Sequence, residues 1–281
     1  MKKILIPTDF SRNAYNAMGY AIDLYQRQAC EFYILHSYFL SGYSTENLLI
    51  PEPGDAAYEA VREGAEKNME KVKTQLNFRT DSPDHRFHFI NEFGTLVDVM
   101  KKMIEKHDIH MVVMGTRGET DDEHVWFGSN TVDAMEKVRN CPVLAIPGNV
   151  VYKDPNEIVF PTSFKTHYKK RELEYLIDIA KTTNAPIRIL HIDKGPLKEK
   201  QEESKKLLES ILENVPYTYH SLLNIDVGTG LQCFVQSRES EMIAFINKKH
   251  TFFGSIFSNP LVKQLGVNPS VPILAMHDLR N

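Results

Sequence analysis

The sequence predicts an α/β protein made of two tandem units, each wound around a parallel sheet of five strands. Three observations predict it. Short apolar runs alternate with helical patterns along the chain. The runs are continuously apolar, not polar/apolar alternations, as parallel strands covered on both faces require. The whole pattern occurs twice, in the same order.

The repeat is visible in four blocks. ILIPTDF (4–10) matches IVFPTSF (158–164), and FYILHSY (32–38) matches IRILHID (187–193). WFGSNTV (126–132) matches FFGSIFS (252–258), and CPVLAIP (141–147) matches VPILAMH (271–277). The stretch GNVVYKDP (148–155) is the joint. A chain of 281 residues has length for two cores of about 140 residues each. The expected domains are 1–149 and 154–281.

In the first half the expected strands are Ile4–Pro7, Phe32–His36, Arg86–Asn91, Met111–Gly115 and Val143–Ile146. Asn13–Gln28, Ala56–Leu76, Val97–Lys106 and Thr131–Val138 carry helical spacing between them. The second half gives strands Ile158–Pro161, Ile187–His191, Tyr217–Asn224, Met242–Ile246 and Ile273–Met276. Its helices fall near Lys169–Thr182, Lys198–Glu213 and Leu231–Arg238, with Gly228-Thr229-Gly230 read as a turn before the last. The order βαβαβαβαβ in each half means right-handed crossovers and a doubly wound, Rossmann-like sheet. Leu40–Asp55, with two prolines and two glycines, reads as a long loop, and its position suggests a lid over a ligand.

Composition excludes several function classes. The net charge of −4 comes with no basic stripe, so no nucleic-acid partner is expected. No run of about 18 apolar residues could span a membrane. MKKILIPTDF has too short an apolar core for a signal peptide and reads as a first strand. Three scattered cysteines, Cys30, Cys141 and Cys233, lack zinc spacing and fit a reducing cytoplasm. His85-x-x-His88 and His107-x-x-His110 lack a third ligand, and Met100, Met103, Met111 and Met114 read as core. The charged run from Lys198 reads as a solvated helix face. No GxSxG elbow or Ser/His/Asp set is present.

The chemistry concentrates in MGTRGETDDEHVWFGSNTVDAM (114–135). Gly115 and Gly118 leave the fourth strand at the edge where open parallel sheets bind ligands. Glycine there is expected to permit positive φ and to bring backbone N–H groups close to an anion. Gly128, Ser129, Asn130 and Thr131 then open a helix, whose free N–H groups and dipole favour a phosphate. The pattern is neither the GxxxxGK[ST] loop nor GxGxxG. The alternative is three loop glycines and a serine N-cap that need no ligand. Asp9 ends the first strand at the same edge. It either accepts from a ribose hydroxyl or, like Ser11, caps the following helix.

The pattern G-x-x-G, nine residues, G-S (115–129), with PTDFS (7–11) and PVL (142–144), resembles the universal stress protein family. The resemblance covers the first half and implies ATP in the crevice. It implies that Pro7, Thr8 and Asp9 contact the adenosine and that the backbone near Ser37 meets the adenine. Met114, Gly115, Arg117, Gly118, Gly128, Ser129, Asn130 and Thr131 would surround ribose and phosphates. Asp121, Asp122 and Glu123 lie in the spacer, either as ligands for the Mg²⁺ that accompanies ATP or as a solvated loop. Trp126-Phe127 is expected to pack beneath the glycine turn.

The second half departs from the pattern. Ser163 stands for Asp9, and Ile246-Asn247-Lys248-Lys249 stands for Gly115-Thr116-Arg117-Gly118. Isoleucine should block a positive φ, so one ATP per chain is expected. The last strands, Val143–Ile146 and Ile273–Met276, are apolar edges that need covering. Their pairing would make an intramolecular pseudo-dimer, and whole chains could pair as a homodimer. The expected function is that of a cytoplasmic tandem protein that binds ATP in a stress response or in signalling. The rivals are a slow ATPase or autophosphorylating enzyme, with Arg117 on a γ-phosphate, and an interaction module without nucleotide.

Overall fold

The structure, a computed structural model, describes residues 1–39, 54–79, 82–118, 127–193, 195–247 and 271–277. Its elements are β1 (Lys2–Pro7), α1 (Arg12–Leu24), β2 (Cys30–Tyr38), α2 (Ala56–Arg79), β3 (His85–Phe93), α3 (Leu96–His107), β4 (Met111–Gly115), α4 (Ser129–Lys137) and β5 (Val143–Ile146). They continue as β6 (Ile158–Pro161), α5 (Lys170–Thr183), β7 (Ile187–Asp193), α6 (Glu199–Leu212), β8 (Tyr217–Leu223), α7 (Val227–Arg238), β9 (Met242–Asn247) and β10 (Ile273–His277). The alternation expected from sequence is present in both halves. Residues 40–53 of the expected lid loop lie outside the described residues.

All ten strands form one sheet, in the order β3-β2-β1-β4-β5-β10-β9-β6-β7-β8. The first five follow 3-2-1-4-5, and the second five repeat that order in reverse across the middle. Each neighbouring pair is parallel except β5 and β10, which run antiparallel with Leu144 opposite Leu274. The central strands β4, β5, β6 and β9 are buried along their whole length. The outer strands β3 and β8 are not, and their burial varies along the strand. They were expected to be covered on both faces, but each has a neighbour on one side only, so exposure sets their pattern.

One apolar cluster crosses the sheet's midline. It joins Ile4, Ala17 and Tyr25 of the first half to Phe160, Leu176 and Met276 of the second. Polar contacts follow the same joint. Lys2 Nζ meets Asp178 Oδ2 at 2.5 Å, and Gln28 Nε2 donates to Thr182 Oγ1 at 2.8 Å. On the other face Asn247 Nδ2 donates to the Met135 carbonyl (2.9 Å), and Arg139 Nη2 to the Asn247 carbonyl (3.0 Å).

Several boundaries differ from the sequence expectation. Helix α7 begins at Val227, so Gly228-Thr229-Gly230 forms its first turn and not a preceding loop. Asp226 is the reason: its carboxylate accepts from the amides of Gly228 (3.0 Å) and Thr229 (3.2 Å). Helix α1 ends at Leu24 and α4 starts at Ser129, each a few residues off the apolar periodicity. Cys30 and Cys141 are buried and Cys233 is exposed, all three as free thiols. Among the described residues no helix is long and apolar enough to cross a membrane.

The second half carries one buried charge cluster. Glu157, just before β6, accepts from Arg188 Nε (2.7 Å), Arg238 Nε (2.8 Å) and Nη2 (2.7 Å), and Ser240 Oγ (2.5 Å). Burial alone would raise its carboxyl, but the bonds from Arg238, Ser240 and Arg188 overcome this and lower it to about 2. A depressed carboxylate stabilises the fold above its unfolded value, and that contribution is lost as pH falls towards 2. Two outcomes are expected. Denaturant unfolding of the wild type should lose stability between about pH 4.5 and 2, a slope that Glu157→Gln flattens. At pH 7, Glu157→Gln should cost about 3 kcal/mol, because two arginines lose their counter-charge.

Candidate functional site

Strand β1 has β2 on one side and β4 on the other, and the helices that follow β1 and β4 pack into different core clusters, so their connections part at the carboxyl ends. A crevice at this switch point is where open α/β sheets place ligands. One wall is the tip of β1. The Thr8 amide donates to the Leu35 carbonyl (2.8 Å), which extends the pairing past the strand. The Thr8 hydroxyl accepts from the Phe10 amide, and the Asp9 carboxylate from the Ser11 amide, both at 3.0 Å. The chain turns left-handed at Phe10, φ 66°, a region rare for bulky side chains. Ser11 then caps α1 by accepting from the Ala14 amide at 3.2 Å. So the cap is Ser11, and Asp9 remains exposed at the crevice.

His36 backs this tip. Its Nδ1 lies 2.8 Å from the Thr8 carbonyl, which can only accept, so Nδ1 carries the proton. Burial lowers the imidazole below its ordinary value, against opposing pulls from the Thr8 carbonyl and Asp9. The ring is therefore neutral at pH 7, and it packs on Phe10 at 4.3 Å between centroids.

The other wall is the end of β4. The Thr131 hydroxyl donates to the Gly115 carbonyl (2.9 Å), and the Gly128 amide donates to the Thr116 carbonyl (2.8 Å). Gly128 is the N-cap of α4, with φ −64°. Among the described residues the glycines with positive φ are Gly54 and Gly94, so the expected left-handed turn at Gly115 is not there. Glycine is favoured there for a different reason. A Cβ at 115 would stand 3.2 Å from the Asn13 carbonyl oxygen, because α1 starts against the end of β4. Helix α4 aims its first amides out of its end near Asn130, and Ser129 and Asn130 are exposed there.

The crevice has a volume of about 110 Å³, room for a ligand group and not merely one trapped water. Of the residues expected from sequence, Pro7, Thr8, Asp9, Ser37, Met114, Gly115, Arg117, Gly118, Asn130 and Thr131 line it. Gly128, which is buried, and Ser129, which is exposed, do not. Ala14, His36 and Leu96 also line it and were not anticipated. The signal for His36 was present, since FYILHSY and IRILHID both carry the histidine. Phe127 is buried in the core cluster that includes Met114, as expected for packing beneath the turn. Asp121, Asp122, Glu123 and Trp126 lie outside the described residues. Among the described residues no three His, Cys, Asp or Glu side chains converge on one point. His85 bonds to the Tyr25 carbonyl and His88 to Glu31, each at 3.2 Å, so that pair is used separately.

The second half builds the same strand tip. The Thr162 amide donates to the Leu190 carbonyl (2.8 Å), the Thr162 hydroxyl accepts from Phe164 (3.2 Å), and Phe164 is left-handed at φ 55°. His191 Nδ1 lies 2.8 Å from the Thr162 carbonyl, as His36 lies from Thr8. The surroundings differ. The buried Gln201 of α6 donates to the Ser163 carbonyl (2.8 Å), and the Tyr168 hydroxyl bonds to Thr162. Ser163 and His191 are buried, where Asp9 is exposed and His36 half-buried, whereas both threonines are buried. Met111 pairs with Ile4 as Met242 pairs with Ile158, so Ile246 occupies the place of Gly115. Isoleucine fits because α5 starts only at Lys170, well past Phe164, whereas α1 starts at Arg12, close after Phe10. The block is thus one of helix position, not of φ. Lys248, Lys249, Phe252, Phe253, Gly254 and Ser255 lie outside the described residues.

A family model described as the universal stress protein family matches residues 1–147. This chain belongs to the universal stress protein family. Universal stress protein MJ0531 of Methanocaldococcus jannaschii is 24% identical over 145 residues, which are 52% of this chain and 81% of that one. Universal stress protein MJ0577 of the same organism is 26% identical over 157 residues, 52% of this chain and 94% of that one. A universal stress protein from Archaeoglobus fulgidus has the same fold across nearly the whole chain. Its TM-score is 0.72 at 17% identity, with 97% of this chain and 95% of that one covered. The likeness thus includes the second half, which the family model does not reach.

The steric explanation of Gly115 has a direct check. Gly115→Ile, which imports the residue of the second half, should cost about 1–3 kcal/mol in urea unfolding through overpacking against Asn13. Unchanged stability would mean that α1 does not limit this position.

Proposed function

We propose that this chain is a tandem universal stress protein that binds one ATP, in the crevice of its first half. Residues 1–149 form the nucleotide-binding domain, and residues 154–281 form a degenerate copy kept for structure or partner binding. One observation carries the reading. Both copies build the same strand tip, but among the described residues the first has an exposed carboxylate facing a glycine strand end and a helix N-terminus, whereas the second has the buried Ser163, whose carbonyl Gln201 holds.

The donor set fits the ligand. Asp9 offers a carboxylate to the ribose hydroxyls. Pro7, Thr8 and the backbone at Ser37 border the adenosine side. Met114, Gly115, Arg117 and Gly118 border the phosphate side, with the start of α4 at Asn130. The Gly128 amide and the Thr131 hydroxyl are already engaged with Thr116 and Gly115, so they shape the turn and leave anion contacts to their neighbours. ATP brings Mg²⁺ with its phosphates, and the ion needs no dedicated protein cage.

The two halves act as a pseudo-dimer joined by β5 and β10. Because these strands use each other's edges, a homodimer of whole chains would form through another surface. The protein serves a stress-response or signalling role in the cytoplasm, with nucleotide occupancy as the variable that partners detect.

The test compares two equivalent substitutions by calorimetric titration with MgATP. Asp9→Ala should weaken binding about tenfold or more, the worth of a hydrogen bond to a charged acceptor. Ser163→Ala should leave affinity unchanged. Equal affinity of wild type and Asp9→Ala would remove the proposed ribose contact, and with it the assignment of the crevice.

A further inference from the structure

Helix α1 carries two asparagines that face away from the ligand side of the crevice. Asn16 Nδ2 donates to the carbonyls of Pro147 (3.1 Å) and Val150 (2.8 Å), just beyond β5. Asn13 stands one turn earlier, between two glycines. Its backbone carbonyl would stand only 3.2 Å from a Cβ at position 115. Its side chain lies against Gly148, where a Cβ would come within 1.8 Å of Asn13 Oδ1 and 2.7 Å of Cγ. No side chain fits there unless the amide moves. The same amide directs Nδ2 at the Arg117 carbonyl, at the long distance of 3.5 Å.

We infer that Asn13 is a positioning residue for the turn Gly115–Gly118, and that Gly148 is glycine so that Asn13 can be wedged in place. The inference deepens the ATP reading of the crevice and, for its affinity part, rests on it. Asn13 does not line the crevice. It acts from behind, by fixing the carbonyl of Arg117 and so the direction of the Arg117 and Gly118 peptide groups. The wedge also ties that turn to the chain leading into the second half, since the same helix face holds Pro147, Gly148 and Val150. The contrast between halves supports the assignment. In the aligned sequence of the second copy, Gly115, Asn13 and Gly148 correspond to Ile246, His167 and Asp278, and His167 precedes α5 where Asn13 lies within α1. The three residues occur together in the first copy, and none of them is kept in the second.

The experiment uses the full chain in four forms: wild type, Asn13→Ala, Gly148→Ala and the double variant. Two readouts are taken. The first is amide hydrogen exchange at Arg117 and Gly118 without ligand. The second is ATP affinity by titration. Both single variants should speed exchange at the turn and weaken ATP about tenfold, with thermal midpoints recorded alongside. The double variant should be no worse than either single one, because both act through one contact. It also guards against misfolding of Gly148→Ala, since removing the Asn13 amide removes the clash. Gly195→Ala, at a glycine with no atom within 4 Å of an added Cβ, is the neutral control. Lower thermal midpoints with unchanged exchange and affinity would overturn the inference, leaving Asn13 a packing residue. Additive losses in the double variant would overturn the Gly148 link. If wild type binds no ATP the functional reading fails by itself, and the exchange readout still decides the role of Asn13.

Discussion

The antiparallel contact of β5 with β10 is the constraint on which the whole molecule depends. Each is the last strand of a five-strand unit, four or five residues long and wholly or largely buried. Left alone, each would expose a row of unpaired amides and carbonyls beside an apolar face. Paired, they turn two sheets into one and bring α1 and α5 onto a common cluster that contains Tyr25 and Leu176. The two halves therefore share a core and are not merely tethered. Lys2, Gln28, Arg139 and Asn247 lace the joint on both faces.

Within that frame the two copies have diverged by the placement of a helix. In the first, α1 starts directly after the strand tip and packs against the end of β4, so a side chain at position 115 would crowd the Asn13 backbone. Glycine there leaves an open crevice with Asp9 at its rim. In the second, α5 starts later, Tyr168 and Gln201 cover the tip, and Ile246 fills the strand end. The strand tips themselves are nearly the same, down to the histidine that supports each threonine carbonyl. The second tip keeps this scaffold without the exposed carboxylate, because the hydrogen bonds of the tip are internal and do not need a ligand.

Most of the fold was legible because periodicity and repetition are local signals. The apolar runs located every strand, and the repeat gave the symmetry of the sheet. The partial exposure of β3 and β8 was not visible in the same signal, since it depends on which strands end up outermost. Gly228-Thr229-Gly230 looked like a turn because glycine disfavours helices, yet the Asp226 cap draws it into α7. At the site, residues named through the glycine spacing mostly line the crevice, since strand ends and helix starts are fixed by local chemistry. The part that escaped is long-range. Nothing in the spacing says that Asn13 touches Gly115 and Gly148, and the reason glycine is favoured at 115 is steric contact with a helix far away in sequence. His36 was in plain view in both repeats, but its role depends on which carbonyl lies beside it.

The central claim is an asymmetry: one crevice of the pair takes a nucleotide. Counting ligands tests it most directly. The protein, stripped of nucleotide, would be titrated with MgATP in a calorimeter. A stoichiometry near one per chain is the result expected from an open first crevice and a filled second one. Two equivalent sites per chain would contradict the proposal that Gln201, Tyr168 and Ile246 close the second half, and heats equal to dilution would contradict the nucleotide reading of the first.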